Sequence, residues 1–435
     1  MSEQVRILVV GTLDTKAVEI ANLAAEIRAS GGEPIILDSS VGPAAAQVLS
    51  GEGHEAVAGL GADAVPYVTQ AQVAAAAGTS PENIWSLPRG EAVSRMRSGI
   101  TATVLRLVSE EEIDGAVCLG GAGVHLTAPA FQELGLETPK LILSPLASGS
   151  RQFEPFVGIS NVAVMHTIVD VAGLNHISRT VYRQAAGYIV GAATAMRRSH
   201  ASNDDLSVGL IAVSMNGNTT PLVEHIRADL AALRLNLVAF HANGTGGRAM
   251  EHMIGAGEFL AVLDITTTEL AGAEVGGLMD PGTDRMEAAG RRGLPQVLVP
   301  GCLDLITAGR PDVAQQQFPG HRLFNHSPEL TLVRMAAPQM ERLGRVFAAK
   351  ANLALGGTTI CVPSQGFSIP GSNHGPFWDP EADAAFLQAL IATVADHVRV
   401  RVVDAHINAP EFAAVLVEEL QAVLAADGID LEQLS

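Results

Sequence analysis

The stretch V-R-I-L-V-V-G-T-L-D-T-K, residues 5–16, decides the fold. Its first six residues form a β-branched, apolar run of the length of one buried strand. Gly11 then permits a tight turn, and helical spacing begins at Thr15 and runs to Ser30. Gly31 and Gly32 end that helix, and residues 34–38 read as a second strand. Strand, turn, helix and strand in this order is the repeating unit of a parallel sheet. The alternation continues with strands at 115–119 and 141–144 and helical spacing at 91–108. A long helix over about 175–196 leads into a polar segment, 197–205, and a fresh apolar strand follows at 208–213. The polar segment reads as a linker. Beyond it the pattern repeats, with strands at 235–240, 261–264, 296–299, 358–362 and 398–404 and helices including 219–233, 382–396 and 411–426. The expected fold is α/β, with two Rossmann-like doubly wound parallel-sheet domains over 1–200 and 206–435. The likeness of the halves is architectural, and no sequence repeat joins them.

Composition agrees. The 435 residues are 48% hydrophobic but only 4% aromatic, with 44 glycines, so the core is built from small aliphatic side chains and tight turns. A net charge of -19 argues against non-specific nucleic-acid binding. An anion can still bind locally, because backbone N–H groups and helix N-termini supply positive potential whatever the net charge. Cys118, Cys302 and Cys361 are scattered through apolar runs and indicate neither a disulfide framework nor a zinc site. No stretch approaches the roughly 20 apolar residues of a membrane span, and no signal segment opens the chain, so the cytoplasm is the expected location.

The chemistry-bearing residues cluster where strands end, which is where open α/β sheets bind ligands. After the first strand come Gly11, Thr12, Asp14, Thr15 and Lys16: a turn glycine, two hydroxyls, a carboxylate for a metal or ribose, and an ammonium for a phosphate. The spacing is not that of a P-loop, and the same residues serve equally as a helix cap with a solvated lysine. Gly120, Gly121, Ala122 and Gly123 follow another strand and expose backbone N–H groups, the geometry a phosphate needs, or simply make a tight turn. Ser148 and Gly149 follow the strand at 141–144. In the second half, His241, Arg248 and Glu251 follow one strand, and Asp264, Thr266, Thr267 and Glu269 end another. Neither a H-E-x-x-H pair nor a G-x-S-x-G elbow is present, which weakens zinc-protease and α/β-hydrolase readings.

Seven strings run in order across nearly the whole chain: G-T-L-D-T-K at 11–16, L-G-G-A-G at 119–123, P-K-L-I-L-S-P-L-A-S-G at 139–149, V-D-V-A-G-L-N at 169–175, F-H-A-N-G-T-G-G-R-A-M-E at 240–251, L-D-I-T-T-T-E at 263–269 and H-I-N at 406–408. Together they make the chain resemble the ATP-binding domain family typified by the tomato mosaic virus resistance protein, which has many bacterial members. The resemblance implies two Rossmann-like subdomains, ATP held by the first of them, and a homodimer. In plant members the domain is fused to a TIM barrel, so a separately encoded barrel protein is the implied partner here.

ATP, with Mg2+ held through water or Asp14, is then expected across the first three loops. Thr12, Asp14, Thr15 and Lys16 would form one wall, Gly121 to Gly123 would cradle phosphate, Ser148 and Gly149 would close the far side, and Asp38 would hold the ribose. The rival reading is a metabolic enzyme, of hydrolase or lyase type, that acts on a small carboxylate or phosphorylated acid in a cleft between the domains. His241, Arg248, Glu251, Asp264 and Glu269 would be its catalytic set, with Arg248 clamping the anion and an acid moving a proton. A third reading is a regulatory protein whose nucleotide sets domain closure.

Overall fold

A computed structural model describes residues 4–42, 66–145, 154–199 and 209–431. The chain divides into two compact units, Met1–Asn203 and Asp204–Ser435.

The first unit holds six strands, β1 (Arg6–Gly11), β2 (Glu33–Asp38), β3 (Tyr67–Val68), β4 (Gly115–Leu119), β5 (Lys140–Ser144) and β6 (Ala163–His166). They form one parallel sheet in the order β3-β2-β1-β4-β5-β6. This is the 3-2-1-4-5-6 Rossmann order. The apolar run of β1 is buried on both faces, as a parallel sheet covered by helices requires. Ile7 and Val9 pack with Leu13, Ile20 and Tyr182 from the helices Leu13–Ala29 and His176–Ser199. Leu8 and Val10 face the opposite way, toward Met96, Ile100 and Phe131 from the helices Arg89–Ser109 and Val124–Gln132. One alternating strand thus feeds two cores.

The second unit has β7 (Leu210–Met215), β8 (Asn236–His241), β9 (Ala261–Thr266), β10 (Gln296–Gly301), β14 (Thr358–Pro363) and β15 (Arg399–Val403) in a second parallel sheet. Its order is β15-β14-β10-β9-β7-β8. Counted within the unit this is 2-1-3-4-5-6, the flavodoxin-like arrangement with one strand added. Both units are doubly wound, but they are wound differently. The helices Thr220–Ala232 and Pro410–Ala426 cover one face through Leu222, Ile226, Phe412 and Leu416. The helices Ala337–Ala351 and Pro380–Thr393 pack Phe347 and Phe386 under Leu298, Ile360 and Val362 on the other.

A feature absent from the sequence reading lies between β10 and β14. Here β11 (Leu305–Ala308), β12 (Leu323–Asn325) and β13 (Thr331–Arg334) make a small antiparallel sheet in the order β11-β13-β12. Strands of three and four residues carry too few alternations to announce themselves.

Candidate functional site

In each sheet one pair of neighbouring strands marks where the winding reverses: β1 and β4 in the first unit, β7 and β9 in the second. Helices leave such a pair in opposite directions and open a crevice at the carboxyl edge. The sequence-predicted loops of the first unit flank this point. Gly11–Lys16 follows β1 and Gly120–Gly123 follows β4, and the two turns touch: a methyl built on Gly123 would lie 3.3 Å from Thr12 Cγ2. A methyl on Gly121 would meet no described residue within 4 Å.

The amides of the two turns differ in occupancy. Leu13 N–H donates to Asp38 Oδ1 at 3.3 Å and Asp14 N–H to Ser40 Oγ at 3.1 Å. The carbonyls of Gly121, Ala122 and Gly123 accept from Val124, His125 and Leu126, which starts the next helix, while their own N–H groups have no acceptor among the described residues. Three consecutive free donors at the head of a helix form a concavity suited to an anion. The Thr12 and Thr15 hydroxyls lie 3.1 Å apart, and the Thr15 hydroxyl also reaches Asp14 Oδ1 at 3.3 Å.

Two residues of the expected nucleotide site have other tasks. Asp38, read as a ribose ligand, is 1% exposed, and its carboxylate accepts from Ser40 N at 2.9 Å, from Ser40 Oγ at 2.5 Å and from the Tyr67 hydroxyl at 3.3 Å. Burial pushes its carboxyl up, against the Ser40 and Leu13 hydrogen bonds that pull it down. It clamps the first turn from inside. Lys16, expected to meet a phosphate, sits at a kink in its helix and donates its ammonium to the Val171 carbonyl. Glu19, one turn on, accepts from Gly173 N–H at 2.5 Å, so the V-D-V-A-G-L-N string anchors this helix. Ser40 and Tyr67 were missed by sequence reading. Only the position of Ser40 two residues past Asp38, the spacing of a local Asx-type turn, signalled a role. Ser148 and Gly149 lie outside the described residues. A cavity of about 650 Å³ opens at the amino edge beside Arg6, Asp114 and Arg197, whose charges pair with one another.

In the second unit the proposed acids gather around a residue that sequence reading passed over. Arg285, with a fully buried side chain, donates Nη1 and Nη2 to Asp264 at 2.5 and 2.7 Å, Nε to Glu269 at 2.5 Å and Nη1 to Glu251 at 3.3 Å. The remaining carboxylate capacity is also taken. Glu269 accepts from Gly244 and Gly247 N–H at 2.6 and 3.1 Å, Glu251 from Met286 and Ala288 N–H at 2.5 and 2.8 Å, and Asp264 from the Ser214 hydroxyl at 2.5 Å. Burial works against the charge of Arg285, yet Asp264 and Glu269 hold its pKa well above the ordinary value. Burial raises the Glu251 carboxyl, partly offset by Arg285. Thr266 and Thr267 are buried, bonding Thr219 Oγ1 at 2.8 Å and the Val299 carbonyl at 3.0 Å. This is a closed ionic cluster that ties the loop carrying Arg285 to one strand and two helices, and it does not favour proton transfer to a substrate. Of the expected catalytic set, Arg248 and Glu251 line a cavity of about 490 Å³ beside Arg285. His241 lines a different one of about 560 Å³. Among the described residues no group of three or more His, Cys, Asp or Glu is arranged to hold a metal ion, and no helix is long and apolar enough to cross a membrane.

Two parallel-sheet units, each with hydroxyl- and glycine-rich turns at the carboxyl edge, define an α/β protein of Rossmann-like class. The chain belongs to the UPF0261 family: residues 5–198 match the domain described as Uncharacterised protein family (UPF0261) N-terminal domain, and residues 209–424 match its C-terminal domain. It is 36% identical to a UPF0261 protein of Rhizobium meliloti (strain 1021) over 95% of this chain and 97% of that one. It is 33% identical to a UPF0261 protein of Clostridium tetani over 95% and 98%. The ToMV resistance protein Tm-1(GCR237) of Solanum lycopersicum is 32% identical over 76% of this chain but 44% of its own length. The family is thus one that counts a tomato relative of the kind named by the resemblance. Among solved structures, UDP-N-acetylglucosamine 2-epimerase from Rickettsia bellii is 10% identical, covering 97% of this chain and 96% of that one at a TM-score of 0.23. An overlay that loose says nothing about ligand or reaction.

Proposed function

We propose that the N-terminal unit binds ATP at the carboxyl edge of its sheet, between the turns that follow β1 and β4. The observation that supports this most directly is the run of N–H groups at Gly121, Ala122 and Gly123 without an acceptor among the described residues, at the reversal point of a Rossmann-order sheet. Backbone dipoles there would meet phosphate oxygens without a fixed cation, which suits a site whose lysine is engaged elsewhere. Thr12 and Thr15 would add hydroxyl donors from the facing turn. Asp14, whose carboxylate receives the Thr15 hydroxyl, would hold Mg2+ through water beside the phosphates. Asp38 and Ser40 would act indirectly by fixing the first turn. The homodimer and the separately encoded barrel partner implied by the resemblance belong to the same proposal.

Calorimetric titration with MgATP tests it. Gly121→Val crowds these N–H groups, and its Cβ meets no described residue within 4 Å. It should weaken binding by more than about tenfold, roughly 1.4 kcal/mol, and leave the melting temperature in place. An affinity equal to that of the wild type would remove the site from this edge.

A further inference from the structure

The second unit has its own strand-end crevice, and the small antiparallel sheet roofs it. The 560 Å³ cavity is bounded below by Asn216, Gly217 and Thr268, from the turns after β7 and β9, and above by Leu305, Phe324 and Leu332 from β11, β12 and β13. A plain doubly wound fold has no such sheet, so the insertion turns an open edge into a half-open cavity of ligand size. The space is graded. Its roof is apolar and buried, with Leu305 2% and Leu332 6% exposed. Its rim carries Phe324 and Ile369, 41% and 49% exposed, two large apolar side chains facing water around one opening. Such a concavity is stable in water but gains by enclosing an apolar body, at roughly 25 cal/mol per Å² covered.

The polar side of the lining selects charge. Among the described residues no Asp, Glu, Lys or Arg lines the cavity, and its titratable groups are His241 and His326. The Gly217 N–H and the Asn218 side-chain amide have no acceptor among the described residues, and a methyl on Gly217 would meet nothing within 4 Å. The neighbouring groups that would compete are occupied: Asn218 N–H bonds Asn216 Oδ1 at 2.9 Å, and Leu222 N–H bonds Asn408 Oδ1 at 3.2 Å. Free donors, imidazoles and no carboxylate favour an anionic end, while the apolar roof rejects a polyanion such as a nucleotide phosphate chain.

We infer that this cavity binds a small monocarboxylate with an aromatic or branched apolar body, the body on Leu305 and Leu332 and the carboxylate toward Gly217, Asn218 and His241. The site is independent of the nucleotide site proposed for the first unit, and its test can fail without affecting that proposal.

The probes are phenylacetate and 3-methylbutanoate, with phenylacetamide and phenethylammonium as neutral and cationic counterparts, titrated calorimetrically into the full chain. At least one acid should bind saturably and about tenfold or more tighter than the amide or the amine. Ile369→Trp, at a half-exposed position the fold tolerates, should weaken that acid by about tenfold or more as it fills the mouth. Gly121→Val should leave the acid unaffected. Three results would each overturn the inference: neither acid saturates, the amide binds as tightly as the acid, or Ile369→Trp changes nothing.

Discussion

Arg285 grips Asp264 with both terminal nitrogens, at 2.5 and 2.7 Å, and this pair pins the loop before the helix Ala288–Arg292 to the end of a central strand. Glu269 and Glu251 complete the ring. Three carboxylates around one buried guanidinium are held in place by the cation, so removing it strands negative charge away from water. Arg285→Ala should lower the stability of the second unit by about 3–5 kcal/mol, read by denaturant unfolding. Arg285→Lys should recover little, because an ammonium cannot span Asp264 and Glu269 with a planar fork. A melting point unchanged in both variants would contradict the ring's structural role.

Asp38 predicts a second effect. Its carboxylate holds Leu13 N–H and Ser40, and Ser40 holds Asp14 N–H. Asp38→Ala leaves these donors unsatisfied and should cost about 1–3 kcal/mol. If the proposed nucleotide site is right, MgATP affinity should fall with it although Asp38 itself is buried. Asp38→Asn, which can still accept one bond, should fall between the two.

Glycines in the two candidate turns should respond differently. Gly121→Ala adds a methyl that meets no described residue within 4 Å and should leave the melting temperature alone. Gly246→Ala would place a methyl 1.9 Å from the His241 carbonyl, a backbone atom that cannot swing aside. It should destabilise the second unit by about 1–3 kcal/mol. Differential scanning calorimetry on the two variants gives the comparison.

A fourth prediction concerns pH. Asp383 accepts from Arg334 Nη2 at 2.5 Å, yet burial pushes its carboxyl up from 3.8 to about 7. Between those values the folded chain holds a proton that the unfolded chain has released. This contribution to stability is complete below about pH 4 and is lost as pH rises through about 7. Thermal melts of Asp383→Asn, which mimics the protonated acid, should lose this part of the pH slope between 4 and 7. A variant with the wild-type slope would show that Asp383 is ionised throughout.

Much of this architecture was legible in the sequence because it rests on short-range signals. Strands such as 5–10 and 296–299 are apolar and β-branched, and their turns carry glycine, so the elements declare themselves locally. Sheet order is different. That β4 lies beside β1, and that β7 takes β8 on one side and β9 on the other, depends on helix packing that no local pattern encodes. The site was legible to the same depth. Gly121 and Thr12 could be placed at strand ends, but the inward turn of Asp38 depends on Tyr67 and Ser40, and the engagement of Lys16 on Val171 spans most of the unit. Arg285 was passed over, because a buried charge leaves no trace in periodicity when its partners lie on three other elements, one strand and two helices.

The different winding of the two sheets has a consequence for birth on the ribosome. In the second unit β7 gains both neighbours once the chain has reached Thr266, so its central hydrogen bonds close over short loops. In the first, β1 pairs with β2 early but waits for Gly115 before β4 can cover its other edge. A nascent first half therefore carries one bare edge of its innermost strand through much of its synthesis, with the slower closure and exposure to misassembly that distant pairing brings. The later half is spared that interval.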